Sequence, residues 1–317
     1  MNYSVKLKEF NNKIAFLRKL GILLALAAVL FIGNFLSEHF LTTNNMINIL
    51  EQVSIVGVIA IGQTYVILTE GIDLSIGSLM ALSLILFAGL IGSVGLVAAA
   101  LIGILISSLF GLFNGLGITY GELPPFIMTV GMLSVARGIV FIYSGGTPIP
   151  ILDQKFMSIS VQSFFGIPIS IYIFIFFFII FWWILTKTPF GRSIYAIGAN
   201  EEAAHLSGVP VIKYKIMTYI ISGFCAGIGS LLFAFQLGVG TPAAGGEINL
   251  DTIAATVVGG TALTGGKGKL ENTMMGAFII GAIANLLNLM GVNPFIQRLF
   301  KGAIVVIAVF IIQRSEK

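Results

Sequence analysis

Long apolar runs are the feature that most constrains this chain, and they recur along most of its length. A run of about 18 or more apolar residues, wound as a helix, is long enough to cross roughly 30 Å of bilayer hydrocarbon. Hydrophobic residues make up 57% of the 317 residues and charged residues only 9%. A spanning β-barrel would instead show alternating apolar and polar residues. The sequence therefore predicts an all-α polytopic membrane protein.

The apolar pattern predicts about ten transmembrane helices. We expect them at 20–36, 47–69, 75–92, 94–117, 126–144, 169–186, 216–237, 251–264, 273–291 and 297–313. Residues 251–264 are short and glycine-rich for a span. We expect them to form a broken or re-entrant helix, which is tolerated only where it is buried in protein or lines a cavity.

The distribution of positive charge predicts the orientation. With the N-terminus inside, the internal segments hold 13 of the 17 lysines and arginines, and the outer loops hold only Lys155. This asymmetry follows the positive-inside rule and predicts that both termini are cytoplasmic. The resulting division is a cytoplasmic segment at 1–19, a transmembrane domain at 20–313 with a cytoplasmic loop at 187–215, and a tail at 314–317.

The expected outer loop 145–168 is long and amphipathic. Two interpretations remain open for it at this point. It lies along the outer face of the membrane, or it simply connects two spans.

The loop 187–215 is the one long polar interruption between two apolar halves. The pair Thr188-Pro189 ends the preceding helix, because proline lacks an N–H and clashes with the preceding turn. Asn200 is a typical N-cap for a short helix that continues to Leu206, and Gly208 with the following proline ends it. A short helix in water between two spans has little core of its own to bury. The pattern therefore predicts a surface that binds a partner.

Arg137 lies near the middle of an expected span, where a charge costs several kcal/mol, about 3 by insertion scales, unless it is paired or faces water. It either lines a pathway or stabilises a gate, or it forms a buried structural contact. The candidate partners are backbone carbonyls and four carboxylates, Glu51, Glu70, Asp73 and Glu122.

Several other polar or small residues fall in or beside the apolar segments. Asn114, Asn285 and Asn288 are explained either by hydrogen bonds between helices or by contact with a transported solute. Glu70 and Asp73 occupy an expected cytoplasmic turn, where capping of the next helix by Asp73 or Ser75 competes with a coupling role. Close helix packing is expected at Gly223, Gly227 and Ser230.

The sequence excludes several function classes. No phosphate-binding G-x-x-x-x-G-K-[S/T] loop occurs, so this chain is not expected to bind ATP by itself. Cys225 is the single cysteine, and His39 and His205 lie in separate loops, so neither a metal nor a catalytic cluster is predicted. A net charge of +4 spread over loops gives no indication of nucleic-acid binding. We expect no cofactor on this chain.

Four stretches carry a resemblance to a known family. They are Phe190-Gly191-Arg192 with Asn200-Glu201-Glu202-Ala203-Ala204-His205-Leu206-Ser207-Gly208, Glu70-Gly-Ile-Asp73-Leu-Ser-Ile-Gly-Ser78, Arg137-Gly138 with Tyr143 and Gly146-Thr-Pro148, and Val258-Gly-Gly-Thr-Ala-Leu-Thr-Gly-Gly-Lys-Gly268. Together they resemble, in matching order over roughly 45–312, the permeases of ABC importers for ribose, xylose and arabinose. The ribose type looks most similar, although it has alanine where this chain has Glu202.

The resemblance implies the following organisation. Two permease copies enclose one pathway, a homodimer being the simplest case, in the inner membrane of a bacterium. Two ATPase subunits, which hold the ATP and Mg²⁺, dock on the cytoplasmic loops, and an extracytoplasmic binding protein delivers the sugar. In this chain the resemblance assigns the ATPase contact to the loop that contains Phe190, Gly191, Arg192, Asn200, Glu201, Glu202, Ala203, Ala204, Leu206 and Gly208. It also makes Glu201, Glu202 and Arg192 polar contacts, with Phe190 or Leu206 as an apolar anchor.

Other functions remain as alternatives. Related permeases carry autoinducer-2, other pentoses or hexoses, or branched-chain amino acids. A self-sufficient secondary transporter would act without an ATPase, but the expected spans contain few ionisable residues of the kind that such transporters use. An intramembrane enzyme would need catalytic side chains clustered at one depth, and the sequence shows none.

Overall fold

The computed structural model describes residues 21–315, so the expected segment 1–19 and the last two residues lie outside it. The described residues form thirteen helices and two short strand pairs. The helices are α1 Gly21–Leu36, α2 Thr43–Leu68, α3 Ile76–Val94, α4 Leu96–Thr119, α5 Pro125–Ser144, α6 Gln154–Ser160, α7 Ile169–Lys187, α8 Pro189–Ala199, α9 Glu201–Leu206, α10 Val211–Leu237, α11 Ile248–Val258, α12 Leu270–Leu289 and α13 Pro294–Ser315. The strands are β1 Ile149–Pro150, β2 Ser163–Phe164, β3 Ile167–Pro168 and β4 Val239–Gly240. β1 pairs with β4 and β2 with β3, both antiparallel.

Each expected span overlaps one helix, and α6, α8 and α9 are additional helices. Within the described part of the chain, seven helices are long and apolar enough to cross a membrane, namely α2, α3, α4, α5, α7, α10 and α12. The expected span at 251–264 was placed too late and made too long. The helix there, α11, has 11 residues and ends at Val258, because Gly259 and Gly260 follow it and Gly260 adopts a φ of +80°. At 1.5 Å per residue it is about 16 Å long, too short to cross alone.

Helices α2, α3 and α10 form the buried centre, and α4 packs closely along α10. The close approach depends on small residues. A Cβ at Gly111 of α4 would collide with the Tyr219 carbonyl, and one at Gly223 of α10 would collide with the Ser107 carbonyl. Ser230 also donates its hydroxyl to Ser83 Oγ of α3 at 2.8 Å. Backbones that touch in this way gain packing energy where lipid offers no hydrophobic driving force.

A non-helical segment, 241–247, lies between β4 and α11 and runs alongside α3. Its start is fixed near Ala88, against which Gly240 packs. Just beyond its end, Asn249 accepts a 2.7 Å hydrogen bond from the backbone N–H of Gly77, at the opposite end of α3. An irregular segment at this depth is tolerated only where its backbone groups find partners inside the protein.

Candidate functional site

The polar loop folds into two consecutive helices, α8 and α9. Thr188 ends α7. Its hydroxyl oxygen also caps the start of α8 by accepting from the backbone N–H of Gly191. Asn200 caps α9 as predicted, since its Oδ1 accepts from Ala203 N at 2.8 Å. Gly208, with a φ of +81°, ends the turn after α9. Only α9 was predicted within this loop, so α8 is an additional helix.

Helix α9 presents most of its residues to the exterior. We define the α9 surface as the exposed residues of α9 and of the turn that follows it, namely Glu201, Glu202, Ala203, His205, Leu206, Ser207 and Gly208. Leu206 is the apolar member, with 79% of its surface exposed. Ala204 alone turns inward, where it packs with Ile197 and Val211. This small cluster holds the helix in place and leaves most of its other side exposed.

Two residues expected to face a partner, Phe190 and Gly191, also make contacts within the chain. Phe190 is half-buried and packs against Tyr65 and Tyr214, with its ring centroid 6.2 and 5.2 Å from theirs. Gly191 is buried, and a Cβ there would collide with the Leu185 carbonyl. Leu206 is the more exposed of the two anchors that were proposed. Arg192 is exposed, as its expected role requires.

A groove of about 620 Å³ lies beside the α9 surface. Its lining includes Tyr120, His205, Gly208, Pro210, Lys213 and Met217. On the other side of α9, Lys215 donates to Glu201 Oε2 at 2.8 Å. The glutamate of this pair is exposed and the lysine is mostly covered, so the pair contributes little stability, about 0–1 kcal/mol, and Glu201 remains accessible.

Helix α8 connects this surface to the segment between α11 and α12. Gly198 touches the end of α2, where a Cβ would collide with the Leu68 carbonyl. That same carbonyl accepts from Gly266 N at 3.0 Å. Tyr195 donates its hydroxyl to the Gly268 carbonyl at 3.0 Å. Helix α8 is thus in direct contact with the segment that precedes α12.

Arg137 binds backbone carbonyls rather than a carboxylate. Its Nη1 donates to the carbonyls of Pro242 and Ala244, each at 2.8 Å. Both acceptors belong to the non-helical segment 241–247. Of the four candidate carboxylates, Glu51 instead accepts from the Ser170 hydroxyl at 3.3 Å. The arginine therefore supplies hydrogen bonds to carbonyls that have no helical partner. Such a contact agrees with the structural interpretation of Arg137.

Asp73 is fully buried at the centre of a polar cluster. Its Oδ1 accepts from the backbone N–H and the hydroxyl of Ser75, at 2.9 and 2.6 Å, and its Oδ2 accepts from the Ser222 hydroxyl at 2.6 Å. Asn114 donates to Ser75 Oγ at 2.9 Å. Burial raises the pKa of Asp73, and the hydrogen bonds from Ser222 and Ser75 only partly oppose it. The carboxyl group thus joins the start of α3, where a capping contact was expected, to α4 and α10.

The remaining predicted residues are distributed over other contacts. Asn285 exchanges two hydrogen bonds with Asn45, at 2.9 and 3.0 Å, and Asn288 accepts from Gln297 at 2.8 Å. Both are contacts between side chains of different helices, buried at Asn285 and exposed at Asn288. Glu70 is exposed with a φ of +61° and lies apart from Asp73. The structure does not bring these residues into one site.

The sequence analysis missed one charged cluster. Glu247 and Asp251 face Arg298 and Lys301 of α13, with Lys301 donating to Asp251 at 3.0 Å and to Glu247 at 3.4 Å. The Arg298–Glu247 pair completes it. The signal was present in the spacing, because charges three or four residues apart share one face of a helix. No local pattern indicates that the two faces meet.

Comparison with known proteins identifies the family. The family described as branched-chain amino acid transport system / permease component matches residues 45–309. The ribose import permease protein RbsC of Bacillus subtilis (strain 168) is 43% identical over 298 residues, covering 93% of this chain and 92% of that protein. RbsC of Escherichia coli (strain K12) is 36% identical, covering 95% and 96%. The D-allose transport system permease protein AlsC of Escherichia coli (strain K12) is 35% identical, covering 95% and 93%.

No solved structure matches the chain. The family match covers most of the residues, and these relatives exceed 30% identity over nearly their whole length. This chain therefore belongs to the permease component family of the branched-chain amino acid transport system, whose members similar to it include sugar import permeases.

Proposed function

We propose that this chain is the membrane-spanning permease subunit of an ABC importer that carries a monosaccharide, with ribose as the first candidate. The observation that supports ribose as the substrate is the similarity, over nearly the whole chain, to import permeases named for ribose. Import permeases named for allose and arabinose are somewhat less similar. A branched-chain amino acid, as in the family description, is the second candidate, together with autoinducer-2 and other pentoses or hexoses.

The chain supplies the pathway but no ATPase site of its own. ATP and Mg²⁺ are held by separate ATPase subunits, and an extracytoplasmic binding protein delivers the sugar. Two permease copies, most simply a homodimer, enclose the pathway in the inner membrane of a bacterium. Ten membrane segments with both termini inside, the eighth being a broken span formed by 241–247 and α11, agree with the positive charge of the loops.

The ATPase subunit docks on the α9 surface and its groove. Closure of the ATPase dimer on ATP displaces α9, and α8 passes the movement to the segment before α12 through Gly198 and Gly266. A two-state transporter responds in this way only if the partner contacts the surface more favourably in one state. The exposed Leu206 provides apolar area, and Glu201, Glu202 and Arg192 provide charge.

Substitution of Leu206 by Asp tests the docking surface. Because Leu206 is 79% exposed and does not contribute to the core, Leu206→Asp should leave folding intact and reduce ATPase co-purification at least about tenfold. Leu152→Asp is the matched control, since Leu152 has a similar exposure of 76% but lies in the loop before α6. Equal co-purification of Leu206→Asp and wild type would contradict the assignment.

Gly208→Trp provides an independent test. Tryptophan at this left-handed position both strains the turn and fills the groove, so ATP-coupled uptake should be lost while the protein still inserts in the membrane. Gly131→Trp is the control, because nothing lies near a side chain added there. Normal transport by Gly208→Trp, with ATPase bound at wild-type yield, would exclude a coupling role for this turn.

A further inference from the structure

The β2–β3 hairpin, which we call the aromatic hairpin (residues 162–168), extends from the surface between α6 and α7. Its register pairs Phe164 with Ile167, so the turn consists of Phe165 and Gly166. Both residues have positive φ, +53° and +76°. Two-residue turns of this kind strongly favour Asn-Gly or Gly-Gly, because only such residues adopt the left-handed region at low cost.

Phe165 is therefore an unfavourable residue for its own turn. A bulky side chain at positive φ is a conformational outlier. Packing within the chain does not compensate, since Phe165 is fully exposed, at 101%. Val161 beside it is 81% exposed and Phe164 52% exposed. Strain kept at such a position points to a contact made outside the chain.

The environment of the hairpin indicates what that contact is. Tyr172, in the first turn of α7, donates its hydroxyl to the Phe164 carbonyl at 3.0 Å, and the two rings lie edge to face at 6.1 Å. The hairpin is thus held at the end of a long apolar helix. Further along α7, Phe176 is also an exposed apolar residue. No charged residue occurs between Lys155 and Lys187.

We propose that the aromatic hairpin is a membrane anchor whose tip, Phe165, inserts into the lipid interface at the end of α7. Aromatic residues are favoured at this depth, where an apolar ring meets the headgroups. A protein partner in water would be expected to meet charges at the rim of such a patch, and the hairpin has none. In lipid, the hairpin would instead share the apolar environment of the exposed residues of α7. In the proposed orientation this is the outer leaflet.

Spin labelling of Phe165→Cys tests the proposal in the assembled transporter in lipid nanodiscs. The native Cys225 is fully buried and stays unlabelled. The probes are molecular oxygen, which concentrates in lipid, and a water-soluble nickel chelate. Phe176→Cys on α7 serves as the lipid reference, and Glu122→Cys in the exposed turn after α4 as the water reference.

We expect the ratio of oxygen to nickel collisions at position 165 to approach that at 176 and to exceed that at 122 at least about fivefold. A ratio equal to that at 122 would overturn the proposal, because the tip would then lie in water. A label shielded from both probes would overturn it as well, because a second copy or the binding protein would then cover the tip.

The substitution Phe165→Asn separates lipid contact from hairpin stability. Asparagine suits the turn better than phenylalanine, so the hairpin should remain folded. A label at Val161→Cys should nevertheless move toward water, with nickel collisions increased at least about twofold, because the apolar tip is lost. An unchanged label at 161 would show that Phe165 does not hold the hairpin in the membrane.

Discussion

Replacement of Arg137 by Met should destabilise the protein through a segment that is distant in sequence. The methionine chain fills a similar volume but donates no hydrogen bond, so the carbonyls of Pro242 and Ala244 lose their shared donor. A buried acceptor without a partner costs about 1–3 kcal/mol, which gives about 2–6 kcal/mol for the pair. Removal of a partly buried charge also removes its desolvation cost, which offsets part of this loss of free energy. We expect a net loss of about 2–4 kcal/mol in the free energy of unfolding.

The assay is unfolding in mixed detergent micelles, combined with hydrogen exchange resolved along the chain. In Arg137→Met, exchange should rise in 241–247 and the first turn of α11, while α4 and α10 keep their protection. Arg137→Lys is the control, since an ammonium group offers three donors and should retain much of the stability. A Met variant within about 0.5 kcal/mol of wild type, with unchanged exchange in 241–247, would refute the role assigned to this arginine.

Three further predictions concern packing, titration and surface charge. Gly223→Ala should cost at least about 2 kcal/mol in unfolding experiments, because its Cβ meets a backbone carbonyl of α4, whereas Gly131→Ala, with open space around it, should be neutral or stabilising. The raised pKa of Asp73 means that the folded state holds a proton that the unfolded state releases. Its stability contribution is therefore complete below a pH of about 4, the usual pKa of a carboxyl, and is lost as pH rises through the raised value; Asp73→Asn should flatten this part of the pH profile. Glu201→Gln should change stability by less than about 1 kcal/mol, since its pair with Lys215 is exposed, yet weaken ATPase binding; equal losses of stability and binding would contradict this.

Local signals account for what the sequence predicted well. Apolar run length located a helix in every expected span, and the Asn200 cap and the left-handed Gly208 fixed the limits of α9. Such features depend on residues close together in the chain. The 251–264 segment shows the limit of this reasoning. Its glycines predicted an irregular segment, and the same glycines end α11 earlier than apolarity alone suggested.

Contacts between distant segments could not be predicted. The carbonyls bound to Arg137 lie 105 and 107 residues away and carry no side-chain signal. Phe190 was one of the two apolar anchors that the family resemblance implied, and no local pattern indicates that its ring also contacts Tyr65 and Tyr214. The meeting of the Glu247 and Arg298 faces likewise depends on how α11 and α13 pack. Periodicity assigns a residue to a face of its helix, whereas tertiary packing decides what that face touches.

The most direct test of the proposed function is ATP-dependent uptake of radiolabelled ribose into proteoliposomes. The vesicles contain this chain, its ATPase and its binding protein, with each component omitted in turn and other sugars and branched-chain amino acids present as competitors. We predict that uptake requires all three components and that ribose competes best. Uptake by this chain alone would contradict the importer assignment and indicate a secondary transporter. Uptake that needs all three but prefers another solute would leave the importer in place and refute ribose as the substrate.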